Sequence, residues 1–328
     1  MKKCLPNSLA AQTASRHIRG YVYIACAGLC WAVSAALGKA AFSGRAIAGG
    51  HALAPLDPQI LSQTRTSISF LILAPLLVAL RGKRALAMPR RDLLRCLLLG
   101  VLGLAASNFL YYYAIAKGSV SVAIIVQYTA PVWVLLYMVA SGREHVTSVK
   151  IGSIIAALLG IALAIGIVGQ HGLELHWIAV AAALGAAFSF SFYNIYARGL
   201  LRAHSRWKVM TYAMLGSAIF WIIVNPPSRI VAAHYDRAQW IFMVVFALSS
   251  MLIPFAFYFS GLHHLDPTRA IVTSCLEPAF TVLIAGMFLG EHFGAMQAIG
   301  MALVLGASIA IQIQEQPGSE HTDPQVAV

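Results

Sequence analysis

The chain has 328 residues, 59% of them hydrophobic and 10% charged, and a formal net charge of +12. A soluble globular domain carries roughly 25% charged residues, so this composition excludes a soluble fold and calls for a lipid surround. The repeating unit of such a chain is a spanning helix of about 20 residues plus a short connection, and ten of these fill the length.

From Met1 to Gly20 the chain is basic and free of acid. The apolar segment that follows is too long for a signal peptide and lacks a cleavage site, so residues 1–20 are expected to form a cytoplasmic tail. Predicted spans then run over 21–42, with Trp31; 59–80, with Arg65; 94–116, with Asn108, Tyr111 and Tyr112; and 119–140, with Gln127, Tyr128 and Pro131. They continue over 148–168; 176–197, with Ser191, Tyr193 and Asn194; 207–225; 239–262; 267–289, with Glu277 and Pro278; and 293–313. Residues 314–328 are polar and contain Pro317, Gly318 and Pro324, as expected of a second tail without a packed core.

Connections rich in Lys and Arg tend to stay cytoplasmic. The N-terminus and the even-numbered connections hold Lys2, Lys3, Arg16, Arg19, Arg81, Lys83, Arg84, Arg90, Arg91, Arg95, Arg143, Lys150, Arg198, Arg202, Arg206, Lys208 and Arg269. The odd-numbered ones hold Arg45, Lys117, Arg229 and Arg237. This asymmetry places both termini in the cytoplasm and accounts for the basic charge without a nucleic-acid partner. The five cysteines, Cys4, Cys26, Cys30, Cys96 and Cys275, follow neither a disulfide nor a zinc spacing and read as small packing residues.

An internal repeat is visible. The fourth span contains Ala130-Pro131-Val132-Trp133 and the ninth Glu277-Pro278-Ala279-Phe280, and a glutamate, Glu144 or Glu291, follows each proline by 13 residues. Pro131 and Pro278 are 147 residues apart, and the same offset pairs Tyr111 with Tyr258, Ala123 with Ala270 and Ile124 with Ile271. A five-helix unit used twice must cross the membrane in opposite senses, giving the inverted repeat common in secondary transporters. The expected units are residues 21–168 and 176–313.

Residues 123–144 (AIIVQYTAPVWVLLYMVASGRE), 270–291 (AIVTSCLEPAFTVLIAGMFLGE) and 298–311 (AIGMALVLGASIAI) resemble the two EamA domains of the drug/metabolite transporter superfamily. The likeness extends back to GLCWAVSAALGKAAF at 28–42. The second copy ends in Leu289-Gly290-Glu291, whereas the first reads Gly142-Arg143-Glu144. The resemblance implies an all-α integral membrane fold of ten helices in two inverted repeats with a central cavity, and a permease of the bacterial cytoplasmic membrane that moves amino acids, other metabolites or drugs, often outward.

Glu277 is the one acid near the middle of a span. An intramembrane charge costs at least ~2.5 kcal/mol on insertion scales, so it should face a cavity or a partner, or carry a proton. It could bind a substrate amine or a coupling proton; alternatively it serves the helix distortion at Pro278. Arg65, roughly 10 Å below its helix end, could attract an anionic group, pair with Glu277 or anchor to headgroups. Asn108, Tyr111, Tyr112, Gln127, Tyr128, Tyr193, Asn194 and Trp31 are candidate cavity groups, or else interhelical packing and hydrogen-bonding groups. Pro131 and Pro278 open the backbone at matching places, where a helix can bind ligand or bend. Lys39, Lys117, His263, His264, Glu144 and Glu291 are expected at helix ends or in solvated loops.

No Walker glycine loop, HExxH zinc motif or GxSxG elbow is present, so neither a catalytic centre nor a cofactor or metal is expected. The expectation is a secondary carrier, working by alternating access, whose partners are the bilayer, a small-molecule substrate and protons. The alternatives are a nucleotide-sugar or lipid-linked sugar carrier, or a drug efflux permease. No feature of the chain specifies an oligomeric state.

Overall fold

A computed structural model describes residues 7–42, 47–48, 51–52, 54–117, 120–164, 177–289 and 294–313; Cys4, Gly290, Glu291 and the stretch from Gln314 lie outside them. Among the described residues ten apolar helical segments follow one another: α1 (Asn7–Phe42), α2 (Pro58–Arg81), α3 (90–117), α4 (Val120–Gln127, then Ala130–Ala140), α5 (Ser148–Ala164), α6 (Trp177–Ala203), α7 (Arg206–Val224), α8 (237–264), α9 (Pro267–Ser274, then Leu276–Leu289) and α10 (Ala295–Ile313); α1, α2, α3, α6, α7 and α8 are long and apolar enough to cross a membrane, and the others contribute shorter apolar helices. Among the described residues the extended structure is a two-residue pairing of Ile47–Ala48 with His51–Ala52 between α1 and α2.

Local chemistry sets the ends. Asp57 caps α2, accepting from the amides of Gln59 and Ile60 at 2.7 and 3.1 Å, and Pro58 follows where a missing N–H costs nothing. Asp236 and Gln239 form a reciprocal capping box at the start of α8. The first helix begins well before residue 21, because Leu9, Ala10, Ala11 and Gln12 are good helix formers and nothing breaks the helix before the apolar stretch.

Two features interrupt the regular helices. The spans α4 and α9 are broken close to the places where Pro131 and Pro278 were expected to open the backbone, at Tyr128–Thr129 and at Cys275, and the prolines fall in the first turn after each break. There a proline N–H would have no helical partner anyway, so each proline restarts a helix rather than kinking one. The carbonyls freed at the breaks are met by side chains: Thr129 Oγ1 donates to Val126 O at 2.6 Å and Ser274 Oγ to Ile271 O at 2.7 Å. The second feature is a widened π-helical stretch in α3 (Leu99–Ala105) and in α8 (Leu248–Leu252). Residues 248–252 follow 101–105 by 147, and Cys275 follows Tyr128 by 147, so the backbone irregularities obey the repeat.

Side-chain contacts place the helix ends on two faces. On one, Thr268 at the start of α9 donates to Glu144 just beyond α4, Arg198 near the end of α6 donates to Leu262 O in α8, and Lys208 in α7 reaches Ala87 O between α2 and α3. On the other, Asn225 after α7 donates to Gln63 at 2.6 Å, and Gln239 of α8 reaches Ala54 O. The span α4 therefore leaves through the face where α9 enters, which is the geometry of an inverted repeat. The halves pack in equivalent ways: α1 runs against α8 and α9 as α6 runs against α3 and α4.

The closest backbone approach joins α3 to α7. A Cβ on Gly100 would lie 2.0 Å from Ala213 O, and one on Gly216 would lie 2.3 Å from Leu97 O. Small residues let helices pack this closely in lipid, where no hydrophobic force drives apolar helices together. Around the bundle, Leu71, Leu80 and Ile223 are 65%, 74% and 74% exposed, as expected of side chains facing hydrocarbon.

Candidate substrate site

The two helix breaks meet in the middle of the bundle. Ile124 and Tyr128 of α4 pack against Cys275, Leu276, Ala279 and Phe280 of α9. Glu277 is the second residue of the restarted α9 segment, where the positive end of the helix dipole favours a carboxylate. The Tyr128 hydroxyl lies beside the Glu277 carboxyl group, and Tyr111 and Tyr258 are within electrostatic reach of it. On the α1 side, the Gly28 position faces the Glu277 backbone, with a Cβ placed there 3.6 Å from its nitrogen.

Arg65 approaches from α2. Its Nη2 donates to Asn108 Oδ1 at 2.8 Å, and Asn108 Nδ2 donates in turn to Leu104 O at 2.8 Å, in the widened stretch of α3. That second bond fixes the amide so that its oxygen faces the guanidinium. The Nε of Arg65 is buried without a hydrogen-bond partner. Arg65 acts electrostatically on Glu277 without forming an ion pair with it, and of the roles open to it the hydrogen bond it makes is to Asn108. A cation and an acid thus address one region while held apart.

Arg65, Asn108, Tyr111, Tyr112, Gln127, Tyr128 and Glu277 all retain accessible surface although they sit deep in the bundle. Together they form a partly accessible polar cluster deep in the bundle. Tyr112 lies beside Tyr111, ring centres 5.7 Å apart, and Gln127 Nε2 lies 3.5 Å from Ser107 Oγ. Trp31 borders this region from α1, edge-on to Phe255 at 5.2 Å and 5.3 Å from Tyr258.

Two candidates lie elsewhere. Tyr193 is 1% exposed and its ring is enclosed by Phe190, Phe255, Tyr258 and Phe259. A close approach to Gly103 of α3, whose Cβ would sit 2.9 Å from that of Tyr193, completes this core position. Asn194 is fully buried, donating to Phe190 O at 2.8 Å and accepting from the Tyr258 hydroxyl. Tyr258, which sequence reasoning did not select, also lies beside Ser274 at the break in α9 and so brings α6 and α8 against the restart that carries Glu277. Its pairing with Tyr111 through the repeat was the signal that pointed to it.

Glu144 is not solvated. It pairs with Lys150 at 2.8 Å and accepts from Thr268 of the other half at 3.1 Å, with 9% of its side chain exposed. Cys26, Cys30, Cys96 and Cys275 are free thiols.

Residues 18–166 and 177–312 each match the model of the EamA-like transporter family. The chain belongs to that family. This EamA-like protein is 27% identical to the threonine/homoserine exporter RhtA of Escherichia coli, over 80% of its own length and 86% of that protein. It is 21% identical to the inner membrane transporter YicL of Salmonella typhimurium, over 78% and 89% of the two chains, and 27% identical to the transporter YxxF of Bacillus subtilis, over 70% and 72%. A solved crystal structure shares its fold with a TM-score of 0.72 at 19% identity, covering 92% of this chain and 97% of the other. Family, relatives and helices together identify a multi-pass membrane protein of a small-molecule transporter family.

Proposed function

We propose that this EamA-like protein is a secondary carrier that moves amino acids or closely similar zwitterions outward across a bacterial cytoplasmic membrane, with both termini inside. The observation that carries this reading is the separated pair Arg65 and Glu277. A guanidinium with an unused buried donor suits a substrate carboxylate, and a carboxylate backed by Tyr128 suits an ammonium group. A zwitterion satisfies both charges at once, whereas a phosphate-linked sugar would call for more than one cation at the site.

Glu277 also serves the coupling ion. With substrate absent, a proton on Glu277 removes the cost of a bare intramembrane charge. Binding of an ammonium favours the charged form and expels that proton, so substrate and proton move in opposite directions. The breaks in α4 and α9 supply the bend that alternately exposes the site to either face. The amino acids named for the relative RhtA, threonine and homoserine, are the first to test.

Counterflow tests this directly. Proteoliposomes loaded with unlabelled threonine and diluted into labelled threonine should accumulate label transiently and saturably. Non-saturating entry would indicate a channel, and no entry of any amino acid into vesicles holding folded protein would contradict the substrate class.

A further inference from the structure

The densest exposed positive charge lies away from the transport site, where α2 ends and α3 begins. Arg81, Lys83, Arg84, Arg90 and Arg91 are all exposed, and none has a side-chain hydrogen bond or ion pair among the described residues. The acid in this stretch, Asp92, is already engaged by Arg95 at 3.1 Å and His204 at 3.0 Å. From the other half, Lys208 Nζ donates to Ala87 O at 2.7 Å and the Tyr212 hydroxyl to Leu86 O at 2.6 Å. The connection is thereby held down on α7.

Beside these cations the surface turns apolar. Leu80, Leu94 and Leu98 are 74%, 58% and 48% exposed. On α3, Arg91, Leu94 and Leu98 fall at i, i+3 and i+7 and so share one face. Uncompensated charge and exposed leucine therefore run in line from the aqueous rim towards the hydrocarbon. A ligand that satisfies both has an anionic head and an apolar body.

We propose that residues 80–98 form a binding surface for an anionic phospholipid, its phosphate among Arg84, Arg90 and Arg91 and its acyl chains along Leu94 and Leu98. Clusters of Lys and Arg next to a membrane span recognise acidic headgroups through charge. The surface is independent of the transport reading, since none of its residues belongs to the cluster of Arg65 and Glu277.

Native mass spectrometry of the full-length protein, titrated with phosphatidylglycerol or phosphatidylcholine, tests this. Wild type should retain phosphatidylglycerol preferentially, less so as salt rises, and each charge removed should weaken retention by roughly fivefold. The variant R84Q/R90Q/R91Q should lose the preference, while R229Q/R237Q, with charges removed from the opposite face, should keep it. Equal retention of the two lipids by wild type, an unchanged preference in the triple variant, or equal loss in the control would overturn the proposal. Displacement of all bound lipid by inorganic phosphate would overturn the lipid assignment in favour of a free-anion site. Should the triple variant fail to fold, a phosphatidylglycerol carrying a photoreactive acyl chain can be crosslinked to wild type: adducts within residues 80–98 support the surface, and adducts confined to other segments refute it.

Discussion

Tyr128, in the break of α4, lies against Glu277, two residues past the break of α9. The two places where helical hydrogen bonding is interrupted are thus joined by one side-chain contact between the halves. A carrier that exchanges the conformations of its halves must alter such a contact in each cycle.

Tyr128→Phe removes only the hydroxyl. The hydroxyl faces an ionisable group, and a polar contact to such a group is worth about 1.5 kcal/mol, so uptake efficiency should fall roughly tenfold. Tyr112→Phe, in the same cluster, should change it by less than about twofold. Initial rates of labelled amino-acid uptake into proteoliposomes check both.

Arg65→Lys keeps the charge but loses the planar fork and the buried Nε donor. The apparent KM for a zwitterionic substrate should rise at least about tenfold at normal expression. Asn108→Leu, which frees the guanidinium from its orienting partner, should raise it by a smaller factor. Wild-type KM in Arg65→Lys would reduce Arg65 to an anchor.

Glycines in the spans divide into two groups. Gly216→Ala pushes a methyl group against Leu97 O and should destabilise the protein by about 2–3 kcal/mol. Gly152→Ala meets nothing within 4 Å and should be neutral or stabilising by up to about 1 kcal/mol. Thermal unfolding of the purified variants separates them.

Glu144 bridges the halves on the face rich in basic residues, bonding Lys150 of its own half and Thr268 of the other. Thr268→Val should weaken this bridge by about 1 kcal/mol, and combination with Glu144→Gln should be less than additive. A double-mutant cycle on the unfolding midpoint measures the coupling, and strict additivity would show that the bond contributes nothing.

Much of the fold was legible because lipid imposes long apolar runs and because the repeat keeps one offset throughout. Glu277 stood out for the same reason, as a lone acid in such a run. The breaks at Tyr128–Thr129 and Cys275 left no mark in hydropathy: their residues are compatible with a span, and the freed carbonyls are capped by neighbouring hydroxyls. The widened stretches in α3 and α8 likewise have no compositional signal. Arg65 was recognised as special but not as a partner of Asn108, since a contact between α2 and α3 depends on how the helices pack. Tyr193 shows the reverse case, an aromatic candidate that the packing of α6 against Gly103 turns inward. Glu144 looked like a loop acid until the meeting of the halves brought Thr268 to it.

The most direct test compares wild type with Glu277→Gln in proteoliposomes carrying labelled amino acids, with and without an imposed pH gradient. Saturable uptake that the gradient stimulates in wild type, and that Glu277→Gln no longer couples to the gradient, is the predicted result. Equal gradient stimulation in the two proteins would contradict a proton-carrying role for Glu277.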